Sequence, residues 1–337
     1  MRAMALRRYG GPEVLEEMDL PEPRVGPDSV LIRARAAGVN PVDYKVREGR
    51  LDERIPSHFP LVPGWDVAGV IERVGPAVRG WAPGDEVMAY NRQDHLQWGT
   101  YAELVSAPTR TLARKPASVD WEAAAALPLA GLTAYQALTE GLELAPGETV
   151  LVHAAAGGVG SMAVQIARIL GAEATGTASP ANHDYLRSLW THPVAYGDGL
   201  AERVRALHPA GVDAVLDLVG GETLQGSLEL LRLPHRVASI VDPAGVASSA
   251  GATCSSPPTP SSSPSSPPGS TKAAWRWRSP PASPSPRPPR PSACRPRATS
   301  GERSSSPSNR RARVGDWAGG GGRPWRSGAR RGRPRRR

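Results

Sequence analysis

The order of apolar and polar positions divides the chain into three stretches. Over residues 1–115, runs such as "SVLIRARAAGV", "DVAGVIERVG", "DEVMAY" and "GTYAELVSA" read as short β-strands. Between them, "YGGPE", "RVGPDS" and "WAPGDE" place Gly, Pro and Asp where the chain must reverse. An all-β, barrel-like region with long connections is expected. From "SVDWEAAAALPLAGLTAYQALTE" the period becomes helical, with alanine-rich faces and Ser118 or Asp120 as N-cap.

Strands and helices then alternate. "ETVLVHA", "AEATGTAS", "PVAYGD", "VDAVLDLV" and "HRVASIVD" read as strands; "GSMAVQIARILG", "PANHDYLRSL", "LAERVRALH" and "ETLQGSLELL" read as helices. Continuous Val/Ile/Leu strands alternating with helices of this length predict an α/β fold, a parallel sheet built from right-handed βαβ units.

That pattern stops near Ala244. From Ala247 to Arg337 there is no Leu, Ile, Phe, Tyr, Met, His or Gln. Apart from Lys272, Glu302, Asn309, Val314 and Asp316, every residue there is Ser, Pro, Thr, Ala, Cys, Trp, Arg or Gly. Those eight types are encoded by codons with C or G in the middle position, the alphabet that a shifted reading frame produces in a GC-rich gene. The stretch is read as a frameshifted, disordered tail; the alternative is a genuine Arg/Ser/Pro-rich tail that binds RNA or acidic partners. The expected organisation is a β-rich domain over 1–122, an α/β domain over 123–245 and the tail over 246–337.

Charge changes the picture once it is divided the same way. The whole chain carries +9, but residues 246–337 hold eighteen arginines and Lys272 against Glu302 and Asp316. The tail is therefore strongly basic and residues 1–245 are net acidic, so the hint of a nucleic-acid partner does not extend to the body. Both cysteines, Cys254 and Cys294, also lie in the tail. A body without thiols fits a reducing, cytoplasmic setting. No apolar h-region opens the chain, and no apolar run approaches the ~20 residues of a membrane helix.

The candidate chemistry begins at "VLVHAAAGGVGSMAVQIA", a strand, a glycine turn and an amphipathic helix. The dinucleotide fingerprint G-x-G-x-x-G maps onto Ala155, Gly157 and Gly160. Gly157 lets a pyrophosphate approach the backbone, Gly160 lets the helix pack on the strand, and the helix N-terminus offers free N–H groups. Ala156, Gly157, Gly158, Val159 and Gly160 are the expected phosphate-binding residues. An Asp or Glu about 20 residues further on would bind the ribose hydroxyls of NAD. Thr177 and Ser179 stand there instead, with His183 and Arg187 close behind, so NADP(H) is favoured.

With "AAGVNPVDYKVREG", "VPGWDVAGVIERVG", "PGDEV", "GTYAEL" and "LPLAGLTAYQAL", the turn resembles the medium-chain dehydrogenases/reductases over roughly residues 1–245. The nearest branch is the zinc-free quinone oxidoreductases, similar to zeta-crystallin. The resemblance implies a GroES-like β-barrel catalytic domain and a Rossmann doubly wound domain, assembled as a homodimer. Zinc-dependent members place a Cys, a Gly-His-Glu and a second Cys around the metal. Here those positions read Asn40, Gly64-Trp65-Asp66 and Leu129, which cannot build a tetrahedral zinc site of the usual donors.

Without a Lewis acid, the implied reaction is hydride transfer from NADPH to an already activated electrophile, a quinone or an α,β-unsaturated carbonyl. The resemblance implies that Asn40 and Asp43 line the cleft between the domains and that Asn40 contacts nicotinamide or substrate. Thr133 and Val241 become nicotinamide neighbours. Tyr44 is a candidate proton donor, although the family generally leaves that step to solvent. His58, His95 and His153 read as structural or solvated, and His208 and His235 carry no partner pattern. The family has Gly-Ala where "RSLWTHPVAY" has Trp190, and it continues beyond "VASIVD" with a final strand that residues 246–337 do not contain. A truncated, inactive homologue and a reductase body with a basic nucleic-acid-binding tail are the alternatives to an active enzyme.

Overall fold

Residues 1–233 and 236–248 are described in the structure, a computed structural model. Strands β1 (Ser29–Gly38), β2 (Asp66–Val74), β3 (Glu86–Tyr90), β4 (Leu104–Pro108) and β5 (Leu112–Arg114) form one antiparallel sheet in the order β4-β1-β2-β3-β5. Side chains two apart on a strand share a face. Val30 and Ile32, Val87 and Ala89, and Val105 and Ala107 thus meet Val67 and Ile71 in a single apolar core. This is the GroES-like barrel. Two shorter pairs, Arg2–Ala5 with Glu16–Asp19 and Ser57–Val62 with Leu96–Trp98, complete the β-rich region.

One helix interrupts it, where only strands are predicted. Helix α1 (Pro41–Arg47) opens with Pro at its first position, and the Asp43 carboxylate accepts the Asn40 amide N–H at 2.7 Å. Proline at N1 and an acid at N3 are both helix-start signals, so "NPVD" encodes the helix locally.

The alanine-rich run forms two helices rather than one, α2 (Trp121–Ala126) and α3 (Pro128–Gln136). Pro128 has no N–H to continue a helical ladder, which places the break. Asp120, not Ser118, is the cap; its carboxylate accepts the Ala123 amide at 2.7 Å.

The second sheet is parallel throughout. It contains β6 (Thr149–Val152), β7 (Glu173–Ala178), β8 (His192–Ala195), β9 (Ala214–Asp217) and β10 (Val237–Ser239) in the order β8-β7-β6-β9-β10. The crossovers contain α4 (Gly158–Ile169), α5 (His183–Ser188), α6 (Leu200–Leu207) and α7 (Gly221–Leu228), and α8 (Pro243–Ser248) follows β10. Alternate residues of β6 face opposite ways. Val150 and Val152 pack with Met162, Ala163 and Ile166 of α4 and with Ala130 and Ala134 of α3. Leu151 packs with Val204 of α6, Leu224 of α7 and Val246 of α8.

Strand order reverses between β6 and β9, and a doubly wound sheet binds its ligand at the carboxyl ends of the strands flanking that reversal. Val246, assigned by sequence to the tail, is fully buried in this core. Asp242 accepts the Gly245 N–H at 2.8 Å and Pro243 opens α8, so a short capped helix extends the fold past the point where hydrophobic periodicity fades. The remaining tail, its cysteines and its arginines, together with His235, lie outside the described residues. Among the described residues, no helix is long and apolar enough to cross a membrane.

Candidate functional site

The glycine turn occupies the reversal point. Gly157 precedes α4, and the first-turn amides of that helix have no helical acceptors of their own. A Cβ on Gly160 would lie 2.4 Å from the Ala154 carbonyl oxygen and 2.6 Å from Ala155 Cα, so only glycine lets the helix sit this close to the strand. Around Gly158 the same construction meets nothing within 4 Å. Backbone N–H groups above an open space form an anion cradle, and the residues here fit a dinucleotide pyrophosphate. Ala154 takes φ +47°, the left-handed region, and its carbonyl accepts the Gly157 N–H at 2.9 Å.

Across from it, the loops after β9 and β10 are tied together. Buried Asp217 accepts N–H bonds from Val219 and Gly220, both at 3.0 Å, and the Ser239 hydroxyl at 2.7 Å. Ser239 Oγ accepts the Asp242 N–H at 3.0 Å. Val241, between them, is exposed on this braced loop.

On the barrel side, three segments converge on one carboxylate. Asp66 Oδ2 accepts Asn40 Nδ2 at 2.9 Å, and Oδ1 accepts the Leu129 amide of α3 at 3.0 Å. Gly38 makes the approach possible: a Cβ there would lie 2.7 Å from the Ala125 carbonyl and 2.9 Å from Asp66 Cβ. Asp66 is 1 % exposed, and burial pushes its carboxyl up to about 7 despite the two donors that favour its charged form. Asp43 is a charged neighbour of Asp66. Its Oδ2 accepts the Asn40 amide and, at 2.8 Å, the Tyr101 hydroxyl. Burial raises the Asp43 carboxyl too, against the Asn40, Tyr101 and Gly64 donors that favour its charged form.

Residues 26–117 match the alcohol dehydrogenase GroES-like domain, and residues 158–248 match the zinc-binding dehydrogenase domain. The quinone oxidoreductase of Coxiella burnetii superposes with a TM-score of 0.65 at 33% identity, covering 76% of this chain and 82% of that one. The chain belongs to the medium-chain dehydrogenase/reductase superfamily, in its quinone oxidoreductase branch. The chloroplastic NADPH-dependent alkenal/one oxidoreductase of Arabidopsis thaliana is 39% identical over 227 residues, 65% of this chain and 58% of that protein. The human synaptic vesicle membrane protein VAT-1 homolog-like is 34% identical over 235 residues, 69% of this chain and 54% of that protein. This chain thus spans little more than half the length of these curated relatives.

The resemblance maps the superfamily's zinc-ligand positions onto Asn40, Trp65 and Leu129. An Asn amide, an indole and a leucine occupy the ligand positions, and these supply neither thiolate nor imidazole. The three segments that a catalytic zinc would link are instead joined through the Asp66 carboxylate and its own strand.

The structure brings Asn40 to this junction but turns Asp43 inward. Asp43 is 6 % exposed, and its carboxylate caps the start of α1. Tyr44, the next residue of α1, is exposed. Thr133 is buried on α3, the helix that joins Asp66 to the packing of α4. Thr177 is buried too. Its hydroxyl accepts the Ala154 amide at 3.1 Å and lies 3.3 Å from His153 Nδ1. Ser179, at the strand end, accepts Asn182 Nδ2 at 3.2 Å. Arg187 is paired with Asp184 at 2.7 Å. His208 has a partner after all, the Thr175 hydroxyl at 2.8 Å. Trp190 takes φ +60° with Arg168 stacked 4.0 Å above its ring, an indole in a glycine-type position.

Sequence reading missed Asp66 as a hub, Tyr101, and the set of His153, Ala154 and Ser227. For Asp66 the available signal was its place directly after the former ligand position.

Proposed function

We propose that this chain reduces quinones or α,β-unsaturated carbonyls with NADPH and without zinc. The observation that carries the reading is the Asp66 junction: a buried carboxylate holds Asn40 and Leu129, two of the positions where the superfamily's metal ligands stand. When bound, the reduced nicotinamide supplies a hydride to an electrophilic carbon.

The protein's share is orientation. Donation from Nδ2 to Asp66 fixes the direction of the Asn40 amide and makes Oδ1 its accepting end. The amides of Gly158, Val159 and Gly160 take the pyrophosphate, and Val241 and Thr133 border the nicotinamide. No acid follows β7 to repel a 2′-phosphate; Ser179 stands at that strand end. The Arabidopsis relative's dependence on NADPH supports the same choice. With no metal to polarise a carbonyl, acceptors must already be activated, and simple ketones are poor substrates. Asp43 and Asp66 are both buried and bonded to donors, so solvent supplies the completing proton along the side where Tyr44 is exposed.

Steady-state oxidation of NADPH by the full-length protein tests this. An ortho-quinone and a 2-alkenal are expected to be reduced at least ~100-fold faster, in kcat/KM, than a simple ketone, with NADPH preferred to NADH. Equal turnover of a simple ketone, or a preference for NADH, contradicts the reading.

A further inference from the structure

Beneath the glycine turn runs a series of hydrogen bonds that the proposed reaction does not use. The Ala154 amide donates to Thr177 Oγ1 at 3.1 Å. Thr177 Oγ1 lies 3.3 Å from His153 Nδ1, and His153 Nε2 lies 2.7 Å from Ser227 Oγ. The Ser227 hydroxyl donates to the Thr223 carbonyl at 2.6 Å.

A hydroxyl carries one proton. Ser227 gives its proton to Thr223, so it must accept from His153 Nε2–H. Nδ1 is then bare and accepts from the Thr177 hydroxyl, whose oxygen is left to accept from Ala154. Every proton has one place, and the assignment makes His153 a neutral Nε2–H tautomer. Burial agrees with it: His153 and Ser227 are fully buried, and burial pushes the imidazole down to about 4.

The backbone at the end of this series is strained. Ala154 is a non-glycine residue at φ +47°, a region that L-residues seldom occupy. Its carbonyl accepts the Gly157 N–H and lies against Gly160, so the orientation of this one peptide places the turn. Thr177 pins both of its neighbouring amides, Ala154 through the side chain and Ala155 through the backbone carbonyl at 2.9 Å.

We propose that Thr177, His153 and Ser227 are positioning residues that hold Ala154 in its left-handed conformation and so aim the amides of Gly158, Val159 and Gly160 at the pyrophosphate. The inference rests on the dinucleotide reading above. It gives Thr177 a part in nucleotide binding from inside the fold, without contact to a 2′-phosphate.

Titration of the full chain with NADPH and, separately, with NADH tests it, alongside the melting midpoint of each variant. Thr177→Val keeps the branched shape and removes the hydroxyl. It is expected to weaken both nucleotides about tenfold and equally, the scale of one hydrogen bond. Thr177→Ser restores binding to within about twofold. Ala154→Gly, added to Thr177→Val, recovers most of the loss, because glycine adopts positive φ without help. Unchanged binding in Thr177→Val, a loss confined to NADPH, or no recovery from the glycine overturns the inference.

Wild-type protein that binds neither nucleotide overturns the dinucleotide reading and this inference together; wild-type binding with an unaffected Thr177→Val overturns only the inference. Should the variant not fold, nitrogen NMR of the wild-type imidazole decides. The Nε2–H tautomer at pH 7 supports the series, and an Nδ1–H or charged ring overturns it.

Discussion

Asp66 lies within the barrel region and His153 within the parallel sheet, both sealed from water. Burial drives each toward its uncharged form, Asp66 up to about 7 and His153 down to about 4. Their neighbours respond differently. The partners of His153 form a series that a neutral ring completes, so hydrogen bonding and burial agree. Asp66 faces two N–H donors, which favour the carboxylate, so hydrogen bonding opposes burial. The relaxed group supports the phosphate turn, whereas the opposed group sits where Asn40 meets the chemistry. A buried ionisable residue is thus explained by the direction of its hydrogen bonds as much as by its depth.

The largest expected effect comes from removing the opposed group. Asp66→Ala leaves the Asn40 amide and the Leu129 N–H without acceptors, and kcat/KM for the quinone should fall about a hundredfold through misplacement alone. A fall below about threefold would show that Asp66 only fills space.

Next comes the pH dependence of stability, where the two groups pull in opposite directions. The folded value of Asp66 is raised above its ordinary 3.8, so its contribution is complete below 3.8 and is lost as pH rises to about 7. That of His153 is depressed below 6.5, so its contribution is complete above 6.5 and is lost as pH falls to about 4. Between about 4 and 6.5 the slopes oppose, each by up to about 1.4 kcal/mol per pH unit. Measured against wild type by denaturant unfolding, Asp66→Asn should gain stability as pH rises through that window, and His153→Asn should lose it. Slopes of the same sign would break the comparison.

The smallest effect is expected at Trp190. Relief of its positive φ, worth about 1 kcal/mol, nearly offsets loss of the Arg168 contact, worth about 0.5–1 kcal/mol. Trp190→Gly should shift the melting midpoint by only a few degrees.

What sequence reading recovered follows the same division. The glycine turn is local: strand, turn and helix lie within 149–169, and the glycines that open the cradle can be read there. Asp66 is not local. Its partners lie 26 and 63 residues away, and no spacing rule links them. Helix α1 and helix α8 were legible in principle, since "NPVD" and "DP" are helix-start signals, but a strand-rich stretch and a fading periodicity obscured them. Thr177 was placed near the nucleotide by position along the chain alone. Its side-chain partners, His153 and the Ala154 amide, lie 24 and 23 residues away, where no spacing rule links them.

The most direct test of the central claim is turnover after metal removal. Full-length protein dialysed against a strong chelator, with zinc content checked by elemental analysis, is assayed for NADPH oxidation by an ortho-quinone before and after zinc is added back. The expected result is an unchanged rate in metal-free protein and no gain from zinc. Loss of activity on chelation, restored by zinc, would contradict a site built around the Asp66 carboxylate.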